Sequence, residues 1–192
     1  MQSRKSKNEP DVAAAEPGRH AEPRMDSIEK FADEAAAFER WLLSGTDREA
    51  DAARACLIRL LELYRAGIAL PPESSDELGD GDDIERVGDA EWDVAYKASA
   101  RLPLDYYAEV FDPTEVPGEA PVVGSLSDDL ADIYRDVVTG LRAYHSGDRA
   151  GAVWAWSFCL HAHWGAHATG AMRALHWWLR NNAPKHLSEG TG

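Results

Sequence analysis

The stretch HAHWGAHATGAMRALHWW, His161 to Trp178, packs four histidines and three tryptophans into eighteen residues. Two readings compete: a histidine-rich metal or catalytic site, or the inside of a protein. Placed at 100° per residue together with the turns before it, the run separates into two stripes. Val153, Trp156, Leu160, Trp164, Ala171, Leu175 and Trp178 form a wide stripe of mostly large groups. Ala155, Cys159, Ala162, Ala166 and Gly170 form a stripe of small ones. Between Ala152 and Leu179 Arg173 is the only formal charge. A helix apolar nearly all round is buried among its neighbours. The reading is therefore one long helix from about Arg149 to Asn181, buried at the centre of a bundle, whose small stripe lets a neighbour approach.

The rest of the chain supplies those neighbours. Ile28, Phe31, Ala35, Phe38 and Leu42 follow a 3-4-3-4 spacing, one face of a helix that Asp26 or Ser27 starts and Gly45 ends. A second helix, about Asp47 to Leu70, carries Cys56, Leu57, Leu60, Leu61, Tyr64 and Ile68 as its stripe, and Pro71 and Pro72 stop it. A short helix is expected from Glu91 to Ala100, and a one-to-two-turn piece over DYYAEVF. The prolines at 113, 117 and 121 then exclude regular helix. In SLSDDLADIYRDVVTGLRAY, Ser125 or Ser127 caps a helix striped by Leu126, Leu130, Ile133, Tyr134, Val137, Leu141 and Tyr144, with Asp128, Asp132 and Asp136 on the opposite side. No convincing alternating β segment and no solenoid period is present. The expected fold is all-α: a compact bundle of four main helices plus short ones, with the last helix central.

Residues 1–24 and 184–192 are expected to be disordered tails around a helical domain at 25–183, because they hold too little apolar surface to offset ordering entropy. Residues 73–90 read as a mobile acidic loop. Its DELGDGDDIERV run fails as an EF-hand: with Gly81 at the obligatory glycine, Leu78 takes a ligand position and Val87 that of the bidentate glutamate.

Composition bounds the function. Thirty-four acidic against twenty basic residues give a formal charge of −14, which repels phosphate backbones and anionic lipid. Nucleic-acid and membrane-surface partners are thus not expected; a protein partner is, with basic surfaces favoured. Cys56 and Cys159 lie in apolar runs without zinc-type spacing, and no apolar run follows the basic start MQSRKSKNEP. A reduced, cytoplasmic protein is the expectation. No phosphate loop, nucleophile elbow or dinucleotide glycine pattern occurs.

Within the opening stretch, His163 and His167 are four apart and share a side of the helix, whereas His161 and His176 point elsewhere. An HxxxH pair can offer two imidazoles to one ion, with a third ligand from Glu109, Asp112, Asp128, Asp129 or Asp132. HExxH is absent. The competing reading, preferred here, is a pair of core histidines hydrogen-bonded to Asp, Tyr or backbone. Asp128 and Asp132 are explained by their position at a helix N-terminus, and Asp129 is the carboxylate placed to reach an inward histidine.

YYAEVFDP, PVVGSLSDDLADIYRDV, AVWAW, HWGAHA and ALH together resemble the bacterial domain of unknown function 5063 family, over roughly Ala50 to Trp178. The resemblance implies a compact, mainly helical, cytosolic protein and brings no activity, cofactor or catalytic residue with it. Its motifs come from Tyr106–Pro113, Ser125–Tyr134 and Trp154–His167. A hairpin of the last two long helices would bring Asp129 to His163 or His167.

Three functions follow as expectations. The first is a non-enzymatic interaction or regulatory module with no cofactor. The second is a metal-binding bundle or metal-dependent enzyme using His163, His167 and Asp129. The third is a small-molecule binder. The candidate cluster or pocket is Asp129, His163, His167, Trp164 and Tyr106.

Overall fold

A computed structural model describes residues 24–71 and 84–182. The tails expected at 1–24 and 184–192, but for residue 24, lie outside the described residues, as does the acidic stretch through residue 83.

The described residues form six helices and one two-stranded sheet. Helix α1 (Arg24–Ser44) buries Phe31, Ala35, Phe38 and Leu42 completely, as its spacing requires. Helix α2 (Glu49–Gly67) turns Cys56, Leu60 and Leu63 inward. Leu61 and Ile68, expected in that stripe, are exposed instead. The buried set 52, 56, 60, 63, 67 tracks one face, and Leu61 and Ile68 fall off it. Helix α3 (Asp89–Ser99) follows. After it, Arg101 donates to the carbonyls of Trp41 and Leu42 at 2.7 and 2.8 Å, satisfying the last turn of α1.

The segment expected to be a short helix at DYYAEVF is a strand. β1 (Tyr106–Glu109) pairs antiparallel with β2 (Val122–Ser125), Tyr106 opposite Ser125 and Glu109 opposite Val122. Ser125 then caps α4 (Leu126–His145), accepting from the Asp128 N–H at 3.3 Å. Asp105 accepts from the Ser127 N–H at 3.0 Å, and its carbonyl from the Leu126 N–H at 2.7 Å, so the hairpin is fixed to the start of α4.

Helix α4 is the central one. Twelve of its residues are buried, including the whole stripe read from sequence apart from half-buried Tyr144. This corrects the expectation of a single central last helix. The chain instead forms α5 (Arg149–Ala162) and α6 (Trp164–Asn182), broken at His163, whose φ and ψ are −150° and −81°. Gly165 permits the break: a Cβ there would lie 2.0 Å from the Leu160 carbonyl oxygen. Both helices are one-sided, with Phe158 and Trp177 about half exposed. Most of the large stripe is in the core as read: Trp156, Leu160, Trp164, Ala171 and Leu175 are buried, and Val153 and Trp178 are half-buried. Trp156 donates its indole N–H to the Val137 carbonyl at 2.9 Å, and Trp164 donates to the Trp156 carbonyl at 3.2 Å. The protein is mostly helical, the class expected.

Candidate functional site

Three segments meet beside the first half of α4. The β hairpin covers one side, α6 the other, and α4 forms the floor. Between them lies a cavity of about 720 Å³, lined by groups that include Tyr107, Glu109, Asp129, His163, His167 and Arg173.

The floor is laid by helical spacing. Asp129, Asp132 and Asp136 are at i, i+3 and i+7, one face of α4, and that face meets the start of α6. Asp132 and Asp136 therefore do not point away, as the sequence wheel suggested. Asp129 Oδ1 lies 2.8 Å from His167 Nδ1, and Asp136 Oδ2 lies 2.8 Å from His163 Nδ1. Asp132 Oδ1 accepts from the Trp92 indole at 2.8 Å, while its Oδ2 sits 3.7 Å from His167 Nε2. The two imidazoles meet edge to face with centroids 4.8 Å apart.

The hairpin supplies the second side. Tyr107 and Glu109 point inward because side chains alternate along a strand. The Tyr107 hydroxyl donates to Asp129 Oδ2 at 2.6 Å, so both oxygens of that buried carboxylate are engaged. Glu109 Oε1 lies 3.5 Å from the Arg173 guanidinium and accepts from the Val110 N–H at 3.1 Å. Glu109 Oε2 is buried and has no hydrogen-bond partner among the described residues. Gly170 makes this approach possible: a Cβ there would lie 2.4 Å from Glu109 Oε2 and 2.7 Å from the Tyr107 hydroxyl. The small stripe of the last helix thus admits a strand at this point.

The electrostatics follow from this packing. The hydrogen bond to Asp129, aided by the charges of Asp129, Asp132 and Asp128 and opposed by burial, raises His167 above the ordinary imidazole range. Burial, and then the Asp129 carboxylate, pushes the Tyr107 phenol up, so it stays protonated as a donor. Burial raises Asp136 despite its bond to His163. Asp128 is raised by burial and then by Asp132 and Asp129. Groups perturbed by burial and specific charge partners in a cleft make it a candidate functional site.

Of the residues singled out from sequence, Asp129, His163 and His167 converge here. Trp164 does not line the cavity; it is buried in the core. Tyr106 does not either: it is 68% exposed on the outer face of β1, and Tyr107 takes the inward place. Among the other ligand candidates, Asp112 is exposed and accepts from Thr114. Tyr107, Asp136 and Arg173 were not anticipated. The i, i+3, i+7 aspartates were the available signal for Asp136. His161 bonds the Ser157 carbonyl, and His176 is exposed. No helix among the described residues is long and apolar enough to cross a membrane.

A family model described as "Domain of unknown function (DUF5063)" matches residues 25–180. Among solved structures, the chain is similar to the crystal structure of protein BF1032 from Bacteroides fragilis, at 23% identity and a TM-score of 0.63, covering 84% of this chain and 96% of that one. That likeness is one of fold. The comparison with curated proteins finds no match.

Proposed function

The chain belongs to the DUF5063 family, and we propose that it binds a small polar molecule in the cavity between the hairpin and α6, with Asp129 and His167 on its polar floor. The observation that carries this is the Tyr107–Asp129–His167 chain of hydrogen bonds, opening on a cavity of about 720 Å³. That volume falls in the range of small-molecule sites. The walls support a ligand of mixed character: Val110, Phe111 and Val122 are apolar, Arg173 offers a cation, and Glu109 Oε2 lacks a donor among the described residues. A library of amines, carboxylates and amino acids, screened by thermal shift, tests it. Compounds that stabilise the wild type should fail on Ala166→Phe, which fills the cavity from an exposed position on α6. Equal stabilisation of both proteins contradicts the proposal.

A second reading, the interaction module, is supported by the segment from β1 to β2. Phe111, Val116 and Val123 there are each more than three-quarters exposed, and apolar groups exposed together in one segment suit a protein partner. Affinity capture at two salt concentrations tests it, and recovery of no partner at either salt counts against it.

A further inference from the structure

We propose that Asp132, His163 and His167 form a binding site for one divalent transition-metal ion, at the edge of the cavity. The inference deepens the pocket reading and rests on it, since His163 and His167 line that cavity.

The donor atoms are already gathered. One ligand atom from each of the three residues lies within 4.8 Å of the others, and the Asp132 Oδ2 to His167 Nε2 distance is 3.7 Å. A tetrahedral ion with bonds of about 2.0–2.2 Å holds its ligand atoms roughly 3.4 Å apart. Closing on the ion is therefore a side-chain adjustment of about 1 Å. The three residues come from α4, from the α5–α6 junction and from the first turn of α6. The helix break at His163 is thus part of the site.

The outer groups are those such a site uses. Each imidazole has its Nδ1 held by a carboxylate, Asp136 for His163 and Asp129 for His167, both at 2.8 Å. Asp129 is itself held by Tyr107 at 2.6 Å. A carboxylate on Nδ1 fixes the ring and its tautomer and turns Nε2 toward the metal. Charge points the same way. Four carboxylates of α4, Asp128, Asp129, Asp132 and Asp136, stand around two imidazoles. An excess of two negative charges remains even with both rings protonated, and across the cavity Arg173 is matched by Glu109. A divalent cation removes that excess. Two imidazoles and one carboxylate suit zinc, cobalt or iron(II) rather than magnesium or calcium. Three protein ligands leave a coordination position for water or a cavity ligand.

The test is titration of untagged, chelator-treated full chain with zinc chloride, and separately with cobalt(II) chloride read by its visible absorption. One equivalent should bind. His163→Gln and His167→Gln should each lose more than the roughly 10–100-fold that removal of an outer partner costs, and Asp136→Asn should fall within that range. Helical circular dichroism checks that each variant folds, and Asp132→Asn gives a third ligand variant should one histidine variant not fold. No stoichiometric binding of either ion overturns the proposal. So does binding that the histidine and Asp132 substitutions leave unchanged. If Ala166→Phe abolishes compound binding while no metal binds the wild type, the metal site fails and the pocket stands. If metal binds and no compound does, the reverse holds.

Discussion

Trp156 and His167 sit on consecutive helices, α5 and α6, and both reach across to α4, yet they meet it in opposite ways. Trp156 meets an apolar face, packs against Phe31 at a centroid distance of 4.6 Å, and spends its one polar atom on the Val137 carbonyl. Its neighbourhood is closed: donor and acceptor match one to one. His167 meets a carboxylate face, where Asp128, Asp129, Asp132 and Asp136 outnumber the cations facing them. One end of the α4 groove is solved by volume, and the other is left to charge. A region that conserves volume resists truncation; a region that leaves charge unmatched is open to a ligand.

Three substitutions separate these regions, from the largest effect down. Trp156→Ala removes the fully buried ring and the hydrogen bond to Val137, and should cost about 3–5 kcal/mol in denaturant unfolding. A loss below about 1 kcal/mol would mean that the core does not depend on this ring. Asp129→Asn leaves the volume nearly unchanged and deprives either Tyr107 or His167 of its acceptor. A cost of about 1–3 kcal/mol is expected by the same measurement. Unchanged stability would show that the network does not hold in solution. Glu91→Gln tests a half-buried pair between α3 and the last turn of α4. The bond from Arg142 keeps the Glu91 carboxyl below its ordinary range, so its contribution is present above that range and is lost as pH falls through the lowered value. With solvent screening it should be worth under about 1 kcal/mol at pH 7. The difference between wild type and variant should shrink by pH 3, and a growing difference would reverse the sign argued here.

The comparison also marks how far the sequence carries. The apolar periodicity of α1 and α4 is legible because burial alone decides which residues recur. The same logic reads Trp156, Trp164 and Leu175 as core. It fails for Tyr106–Glu109, since the inward residues of β1 are Tyr107 and Glu109, whose polar ends enter the cavity. A strand whose inner face is a site shows no apolar alternation. Two adjacent tyrosines leave the choice of inward residue to register, and the outer one, Tyr106, was taken. The helix break was hidden because no proline marks it and Gly165 passes for one more small residue. Asp129 beside one of His163 and His167 was legible from the hairpin of helices and the inward wheel positions, and the structure makes that partner His167. Asp136 with His163 was not, because turning His163 toward it depends on that break.

The central claim is that ligand chemistry resides where charge is unmatched, beside His167. The most direct measurement is chemical-shift mapping by NMR with the strongest stabilising compound from the thermal-shift screen. The account predicts perturbations centred on Gly124, His167 and Gly170, which border the cavity. Perturbations centred instead on Trp177, Trp178 and Asn181, at the adjoining cleft near the end of α6, would contradict it.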